Sequence, residues 1–420
     1  MYKILNTNNK IVLGFILLNI LSGTASGILQ MIVPLYALSI NANTAQVGLI
    51  KGISGLGLML LVLPSGFLID HYGSRKLYII GGVIFSTTIF LFPFAVLPIF
   101  IMIIMLFQGF GNSLRMTSLN AAFFKNLKLI GKKRAGWYKG SMSIGLTFLG
   151  PLIGGYIVQF ISYKNIFVYI GVVTLIPIIL LIWLSEKHNT SVHINIIDIF
   201  KEQTLDFKLT LNNKIIRQSI LIESLSTAAF SCFVTFIVIL IVKNYHLPSY
   251  YASWLIILEG GVFILVVFTA GELLDKYKIH NLYISSFILS IIGMIFIVLT
   301  SNMAFLSVGT LIMGSGLGMT NLITYSQIGE IEGKKGKISA LFAACTGIGA
   351  AFGPILGGFI GETFGIQAIF LSFIPIFVLS GVYIMLNVYF NQYSLDKRDI
   401  YVKFFTSNKR TSKTKIMREK

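Results

Sequence analysis

Charged residues are scarce in this sequence, and acidic residues are the scarcest of them. Only 11% of the 420 residues are Asp, Glu, Lys or Arg, with 15 acidic side chains against 33 basic ones, whereas soluble domains carry about 25% charged residues. So few charges cannot cover the surface of a soluble fold of this length. Because 55% of the residues are hydrophobic, a disordered chain is excluded as well.

Cysteines, histidines and the residue patterns of enzymes are also scarce. The two cysteines, Cys232 and Cys345, lie inside apolar runs, which excludes a structural disulfide framework. The five histidines lie in polar segments or at the ends of apolar runs, so a proton relay would have to use carboxylates. The sequence shows no metal-ligand cluster, phosphate-binding glycine loop or nucleophile triad. We therefore expect a protein that is not an enzyme and needs no metal or cofactor.

What the sequence does contain is long apolar runs. A helix that crosses a bilayer needs about 20 apolar residues, and twelve stretches reach this length. We predict spans at approximately 11–34, 45–68, 77–97, 99–123, 139–161, 165–185, 217–242, 250–273, 281–301, 303–327, 339–362 and 366–390. The sequence therefore predicts an all-α membrane protein with twelve transmembrane helices.

The basic residues predict how the chain lies in the membrane, because cytoplasmic loops carry an excess of Lys and Arg. With the N-terminus inside, 29 of the 33 basic residues fall in cytoplasmic segments, and only Lys164 and Lys243 fall in outer loops. We predict that both termini are cytoplasmic and that the protein lies in the plasma membrane. The basic tail from Lys397 onward is expected to contact anionic lipid rather than nucleic acid.

The chain is a duplicated six-span unit. Asp70 at the end of span 2 corresponds to Asp275 at the end of span 8, an offset of 205 residues, and Gly109 of span 4 recurs as Gly314 of span 10 at the same offset. Matches at one offset indicate that the two halves of the chain are copies of one six-span unit. We predict an N-terminal bundle at 1–190, a cytoplasmic linker at 191–216, a C-terminal bundle at 217–395 and a basic cytoplasmic tail at 396–420.

The segment after span 2 carries a family signature. Residues 66–76, GFLIDHYGSRK, resemble the loop between spans 2 and 3 of the major facilitator superfamily, with His71 where the family usually has Arg or Lys. Span 5 resembles the glycine-proline motif of that family's drug/proton antiporter branch, although Gly145 stands one position early; span 4 has Met105 in place of the family's arginine. The resemblance covers nearly the whole chain and implies two pseudo-symmetric six-helix bundles.

The same resemblance implies a gate at the inner end of span 2. In the family, the aspartate of this loop ties span 2 to span 11 in the outward-open state, and Asp70 occupies its position. Neighbouring basic residues would complete the charge cluster, although they could also serve only to set topology. The residues of this motif are Gly66, Asp70, Gly73, Arg75 and Lys76.

Two copies of a Gly-Pro-x-x-Gly-Gly segment, 203 residues apart, predict closely packed helices in spans 5 and 11. Glycine lets helices approach one another, and proline removes a backbone hydrogen bond and bends the helix. We expect both helices to line the seam between the halves. The residues are Gly150, Pro151, Gly154, Gly155, Gly353, Pro354, Gly357 and Gly358.

Polar residues follow helical spacing in spans 1, 4, 7 and 10, so that each set shares one helix face. In the family these four spans line the central cavity, which implies a path for substrate and protons; the alternative is that the hydroxyl groups only hold helices together. The sets are Asn19, Ser22, Ser26 and Gln30; Gln108, Asn112 and Arg115; Glu223 and Thr227; and Asn321 and Thr324, with Tyr325 beside the last set.

Four ionisable residues stand out inside predicted spans, away from the span ends: Lys51, Arg115, Glu223 and Glu259. A charge at the bilayer centre costs at least roughly 2.5–3.5 kcal/mol and is usually functional. Arg115 and Glu223 could pair with each other, or they could bind the substrate and a proton respectively. Lys51 could reach the outer surface or pair with Glu362.

Together these features predict a secondary transporter that alternates between inward-open and outward-open states. The first hypothesis is proton-coupled export of a small organic or drug-like compound, with Glu223 or Glu259 carrying the proton. The alternatives are proton-coupled symport of a polar or anionic nutrient, with Arg115 as the anion partner, and a membrane sensor on the same scaffold. Neutralisation of Arg115 by Glu223 would favour cation export. We expect a monomer whose partners are a small-molecule substrate and the coupling proton.

Overall fold

The computed structural model describes residues 2–130, 140–184, 214–330 and 335–386, and there all twelve predicted spans are helices. This confirms the predicted all-α membrane fold. The helices, numbered α1 to α12 after the spans, are Tyr2–Ser39, Thr44–Tyr72, Ser74–Leu91, Pro98–Ile130, Gly140–Ile157, Tyr163–Leu184, Lys214–Ile239, Ser249–Thr269, Ile279–Leu299, Met303–Glu330, Lys335–Phe364 and Ile366–Leu386. A short helix, Gly271–Lys276, follows α8.

The predicted limits of the halves fall partly outside the described residues. The linker 191–216 is described only from residue 214, where α7 already begins, three residues before the predicted start of the second bundle. The tail 396–420, with its predicted lipid contact, lies wholly outside the described residues.

Local sequence sets both ends of α2. At its start, Asn43 Oδ1 accepts a hydrogen bond from the Gln46 amide at 2.8 Å, and Gln46 Oε1 accepts one from the Asn43 amide at 3.0 Å. This reciprocal cap satisfies two backbone donors that a helix otherwise leaves free. At its end, Gly73 adopts φ 81° and donates to the Ile69 carbonyl at 2.9 Å. Glycine takes this conformation without strain, so α3 can begin at the next residue.

The two halves pack in the same pattern. In the first half α1 packs on α5, α2 on α4 and α3 on α4; in the second half α7 packs on α11, α8 on α10 and α9 on α10. A Cβ on Gly109 of α4 would lie 3.0 Å from Gly57 of α2, and one on Gly314 of α10 would lie 3.0 Å from the Glu259 carbonyl of α8. Equivalent glycines thus bring equivalent helices together, as the duplication predicts.

The seam between the halves consists mainly of α2 against α11 and α5 against α8. A Cβ on Gly358 of α11 would lie 2.9 Å from Gly48 Cα of α2. On the other side of the molecule, Ser249 of α8 donates to the Gly155 carbonyl of α5 at 2.9 Å. Gly358 and Gly155 are the last residues of the two Gly-Pro-x-x-Gly-Gly segments, so these segments reach the seam as predicted.

The remaining glycines of those segments contact helices of their own half. They do so because residues on one face of a helix cannot contact both neighbouring helices, the one in the same half and the one across the seam. Gly150 and Gly154 contact α1 at Gly27 and Met31, and Gly353 and Gly357 contact α7 at Ala228 and Cys232. Pro151 is buried beside Gly150, and the Pro354 carbonyl contacts α2 at Gly48.

The two halves are in contact at the end where α2 begins and α11 ends. There the Thr44 amide donates to Glu362 Oε2 at 2.8 Å across the seam. At the same end, the rings of Tyr156 of α5 and Tyr250 of α8 stack with centroids 5.4 Å apart. Among the described residues, the contact between α2 and α11 continues to Met59, where a Cβ on Gly347 would lie 3.1 Å from Met59 Cβ.

A π-helical turn explains the early position of Gly145. Residues Ile144–Leu149 of α5 form a π-helix, which inserts one residue into the helical repeat. As a result Gly145, five residues before Gly150, still packs on α1, where its Cβ would lie 2.6 Å from the Thr24 amide. The second half has the regular spacing of four, from Gly349 to Gly353, and both contact α7.

Candidate substrate pathway

A small polar cavity lies between four helices of the first half. Its volume is about 100 Å³, and α1, α2, α3 and α4 all contribute to its wall. Most of the polar residues come from the predicted stripes, whereas Lys51 and Ser54 come from α2. The polar lining consists of Ser26, Gln30, Lys51, Ser54, Gln108 and Asn112.

Arg115 lies behind this wall rather than in the cavity. Its side chain is 2% exposed, and Nη2 donates to Ser26 Oγ and to Asn112 Oδ1, both at 3.1 Å. The guanidinium lies over the ring of Phe85, 3.9 Å from the ring centroid, a favourable cation–π geometry. Its Nε atom has no hydrogen-bond partner among the described residues. A direct contact between Arg115 and a substrate in the cavity is therefore blocked by the residues that Arg115 holds.

The start of the α1 stripe is held by α3. Asn19 and Ser22 are buried, and the hydroxyl groups of Ser22 and Tyr78 lie 3.3 Å apart. Tyr78 was not predicted as a site residue, although it belongs to the repeated Leu-Tyr-Ile sequence that recurs as Tyr283 205 residues later. Both tyrosines are fully buried.

In the second half, Glu223 is the centre of a polar cluster between α7 and α10. The residue is 3% exposed; its Oε1 accepts from Asn321 Nδ2 and its Oε2 from Thr324 Oγ1, each at 2.7 Å. Both carboxylate oxygens are thus satisfied by neutral donors. The stripes on α7 and α10 were predicted, and the structure brings them together.

A second cluster lies one turn away from Glu223 and was missed by sequence reasoning. Gln327 Oε1 accepts from Tyr283 Oη at 2.8 Å and from Ser219 Oγ at 3.0 Å. The signal was available, because Gln327 follows Asn321 and Thr324 at helical spacing, and Tyr283 is the repeat of Tyr78. Tyr325, which was predicted to line the path, is 46% exposed.

Glu259 has a different environment. It is 0% exposed, and neither carboxylate oxygen has a hydrogen-bond partner among the described residues. Its neighbour Gly260 faces Thr147 of α5, and Gly314 of α10 packs on its backbone. At the repeat offset of 205 its counterpart is Ser54, which lines the cavity of the first half. Within the described chain, Glu259 is thus a buried carboxyl without partners at the junction of α5, α8 and α10.

None of the four ionisable residues in the spans forms an ion pair within the described chain. Arg115 and Glu223 have partners in their own halves, so the described residues do not contain the pair that was considered. Glu362 accepts from the Thr44 amide and does not pair with Lys51. Nor do the described residues gather three His, Cys, Asp or Glu side chains into a possible metal site.

The signature loop is described only in part. Asp70 lies two residues before the end of α2, but its side chain is outside the described atoms. Arg75 is partly buried in the first turn of α3, and Lys76 Nζ lies 5.3 Å from the ring centroid of Tyr72. A Cβ on Gly66 or on Gly73 would have no neighbour within 4 Å among the described residues.

Known proteins resemble the chain over most of its length. The family model described as Major Facilitator Superfamily matches residues 15–330 and 219–411. A multi-drug resistance efflux pump PmrA homolog of Lactococcus lactis is 22% identical, over 87% of this chain and 90% of that protein. A probable nitrate transporter, NarT, of Staphylococcus epidermidis is 21% identical, over 87% and 92%. A crystal structure of the nucleoside transporter NupG superposes with a TM-score of 0.75 at 15% identity, over 90% and 98%.

Proposed function

Because this chain belongs to the Major Facilitator Superfamily, and is therefore a multi-pass membrane transporter and not an enzyme, we propose that it carries a small organic compound by proton-coupled alternating access. The orientation predicted from the basic residues places the protein in the plasma membrane with both termini inside. In this orientation the Thr44–Glu362 contact lies at the outer end of the seam, so we infer a state in which the outer end is closed.

The observation that carries this proposal is the seam between the two six-helix halves. Packed glycines and the Thr44–Glu362 hydrogen bond form it where α2 begins. A polar cavity lies beside it, between α1, α2, α3 and α4. Rocking of two six-helix halves about a central site exchanges the open and closed ends, which is how such folds transport without a continuous pore.

Proton coupling is proposed from the buried carboxyls. An unpaired charge in an apolar interior is strongly unfavourable, and the Glu259 carboxyl has no hydrogen-bond partner among the described residues. It is therefore suited to carry a proton while buried and to release it when the α5–α8 seam opens to water. Glu223 is less suited, because two donors already stabilise its charged form.

Export is the direction we favour, and it rests on the resemblance to a protein named as a multi-drug resistance efflux pump. The second candidate is proton-coupled symport of an anionic nutrient. Two observations favour it. Arg115 and Glu223 form no ion pair in the described chain, so Arg115 is not neutralised by Glu223 and the electrostatic argument for cation export is lost. The chain also resembles a probable nitrate transporter.

Flux measurements in proteoliposomes with an imposed pH gradient test the proposal. We expect benzenesulfonate or ethidium, an organic anion and an organic cation that stay charged at the pH of the assay, to redistribute faster than in protein-free liposomes. An antiporter accumulates the substrate in the acidic compartment and a symporter in the alkaline one, so the same assay separates the two candidates. Equal distribution with and without the protein, for every compound of a panel of anions and cations, would contradict coupled transport.

The ends of α2 and α11 suggest a pair of opposed gates. The two helices run antiparallel along the seam, and each has a carboxyl residue two positions before its end, Asp70 in α2 and Glu362 in α11. Glu362 caps the start of α2 through the Thr44 amide, where a negative charge is favourable. Asp70 is placed to act in the same way on α11 when the inner end closes.

We therefore expect Asp70→Asn and Glu362→Ala to shift the conformational equilibrium in opposite directions. A charge-assisted hydrogen bond contributes about 1.5–3 kcal/mol, so each variant should change the ratio of states about tenfold or more. Labelling of a Thr44→Cys reporter, which is buried at the closed end, should increase in the Glu362→Ala background and decrease in the Asp70→Asn background. Glu272→Ala, which removes an exposed charge, is the control. Parallel changes in both variants would contradict opposed gates.

A further inference from the structure

Arg115 determines which atoms of Asn112 are available for hydrogen bonds in the cavity. A guanidinium can only donate hydrogen bonds, so its contact with Asn112 identifies the accepting atom as the amide oxygen Oδ1. The NH₂ group of Asn112 is then the part of the amide that remains for the cavity. Arg115 thus fixes the orientation of a lining residue without entering the cavity itself.

Two other polar residues of the wall, Gln108 and Lys51, also present donors, and Gln30 and Ser54 complete the polar lining. Ser26 does not add a donor, because it donates to the Ser22 carbonyl at 3.0 Å and accepts from Arg115. Gln108 is buried, and its Nε2 has no hydrogen-bond partner among the described residues. Lys51 adds an ammonium group with three donors and has no ion pair there.

No acidic side chain of the described residues lines the cavity. A positive charge in such a place is costly unless a negative group compensates it, and the buried Arg115 adds a second positive charge directly behind the wall. The cavity therefore offers one cation and two amide donors without a matching anion from the described part of the chain.

We propose that this cavity binds the oxyanion head group of the transported compound. Lys51 provides the countercharge, Gln108 and Asn112 donate from their NH₂ groups, and Arg115 is a positioning residue for Asn112. A volume of about 100 Å³ suits a group of a few atoms, such as a carboxylate. The inference rests on the proposed transport function only in naming the bound group as part of the substrate.

Equilibrium binding to the purified full-length protein in detergent tests the site. The probes are benzoate, its neutral analogue benzamide, the cation benzylamine, and nitrate as an inorganic oxyanion. We expect benzoate to bind at least tenfold more tightly than benzamide. Lys51→Gln should remove this preference and Lys51→Arg should retain it, because Arg keeps the charge. Lys164→Gln, at an exposed lysine, makes the same charge change away from the cavity and should have no effect.

Asn112→Asp tests the positioning role of Arg115. A carboxylate at this position would take up the Arg115 charge and replace a donor with an acceptor, so benzoate binding should fall and benzylamine binding should rise. A merely structural role would weaken all probes equally, and Arg115→Lys should lower benzoate affinity without reversing the preference.

The outcomes of these binding experiments distinguish a failure of the proposed oxyanion site from a failure of the proposed transport function. Lys51-dependent binding of benzoate or of nitrate supports the site even if liposomes show no proton-driven flux, so a failure of the proposed function would be seen independently. Wild-type protein that binds neither oxyanion more tightly than benzamide overturns the inference. So does a Lys51→Gln variant that elutes as a folded monodisperse protein and keeps the preference for benzoate.

Discussion

The Glu259→Gln variant is expected to lose proton-driven accumulation of substrate by about 10- to 100-fold, which corresponds to a coupling free energy of roughly 1.4–2.8 kcal/mol. Exchange of substrate at equal pH on both sides should continue. Glutamine has nearly the same shape as glutamate but cannot gain or lose a proton, so the variant resembles a transporter whose carrier group is permanently neutral.

The structural reason is the isolation of the Glu259 carboxyl. It is fully buried, and neither of its oxygens has a hydrogen-bond partner among the described residues. A neutral side chain of the same size fits this environment, so we expect Glu259→Gln to fold and to bind substrate. The loss should concern only the step that couples the proton to the conformational change.

Glu223→Gln is the matched comparison. Asn321 and Thr324 hold the carboxylate of Glu223, and a glutamine can keep one acceptor in the same network. We expect this variant to retain gradient-driven accumulation within a few-fold of the wild type. The reverse result, with proton-driven transport lost in Glu223→Gln and kept in Glu259→Gln, would show that Glu223 carries the coupling proton. Full driven transport in both variants would show that the carboxyls are structural and that another ion must be sought.

Gly48→Ala is expected to prevent closure of the seam at the end where Thr44 meets Glu362, and to reduce transport at least tenfold. A Cβ on Gly48 would overlap the Pro354 carbonyl oxygen and would lie 2.7 Å from Gly358 Cα. Both contacts are with the backbone of α11, which cannot move aside as a flexible side chain can. Overpacking of this kind costs about 1–3 kcal/mol, and the cost applies only to the state in which α2 and α11 are in contact.

Gly381→Ala in α12 is the control for that prediction. Both changes raise helix propensity by about 1 kcal/mol, but a Cβ on Gly381 would meet only Phe287 Cδ2, at an ordinary contact distance of 3.8 Å. Transport and labelling of the Thr44→Cys reporter should therefore be normal in Gly381→Ala, whereas Gly48→Ala should expose the reporter. A lower thermal stability of Gly48→Ala relative to Gly381→Ala would measure the clash. Wild-type transport by Gly48→Ala would contradict the role of this contact.

The architecture was predictable from the sequence because a bilayer restricts it so strongly. Apolar runs of about 20 residues can only be helices in lipid, and all twelve are helices in the structure. The helical period then identifies which residues share a face, so the stripe of Asn321 and Thr324 was available before any coordinates. The repeat at an offset of 205 residues likewise identified equivalent helices, and these make equivalent contacts.

The partners of the ionisable residues were not predictable, because contacts between helices depend on their rotation and depth in three dimensions. The helical period cannot show that Arg115 reaches Ser26 and Asn112 rather than Glu223. It also cannot show that Glu362 caps α2, since that contact needs the end of one helix to meet the start of another 318 residues away. The π-helix that returns Gly145 to its contact with α1 depends on packing as well, because the favourable contact compensates a backbone turn that isolated helices rarely adopt.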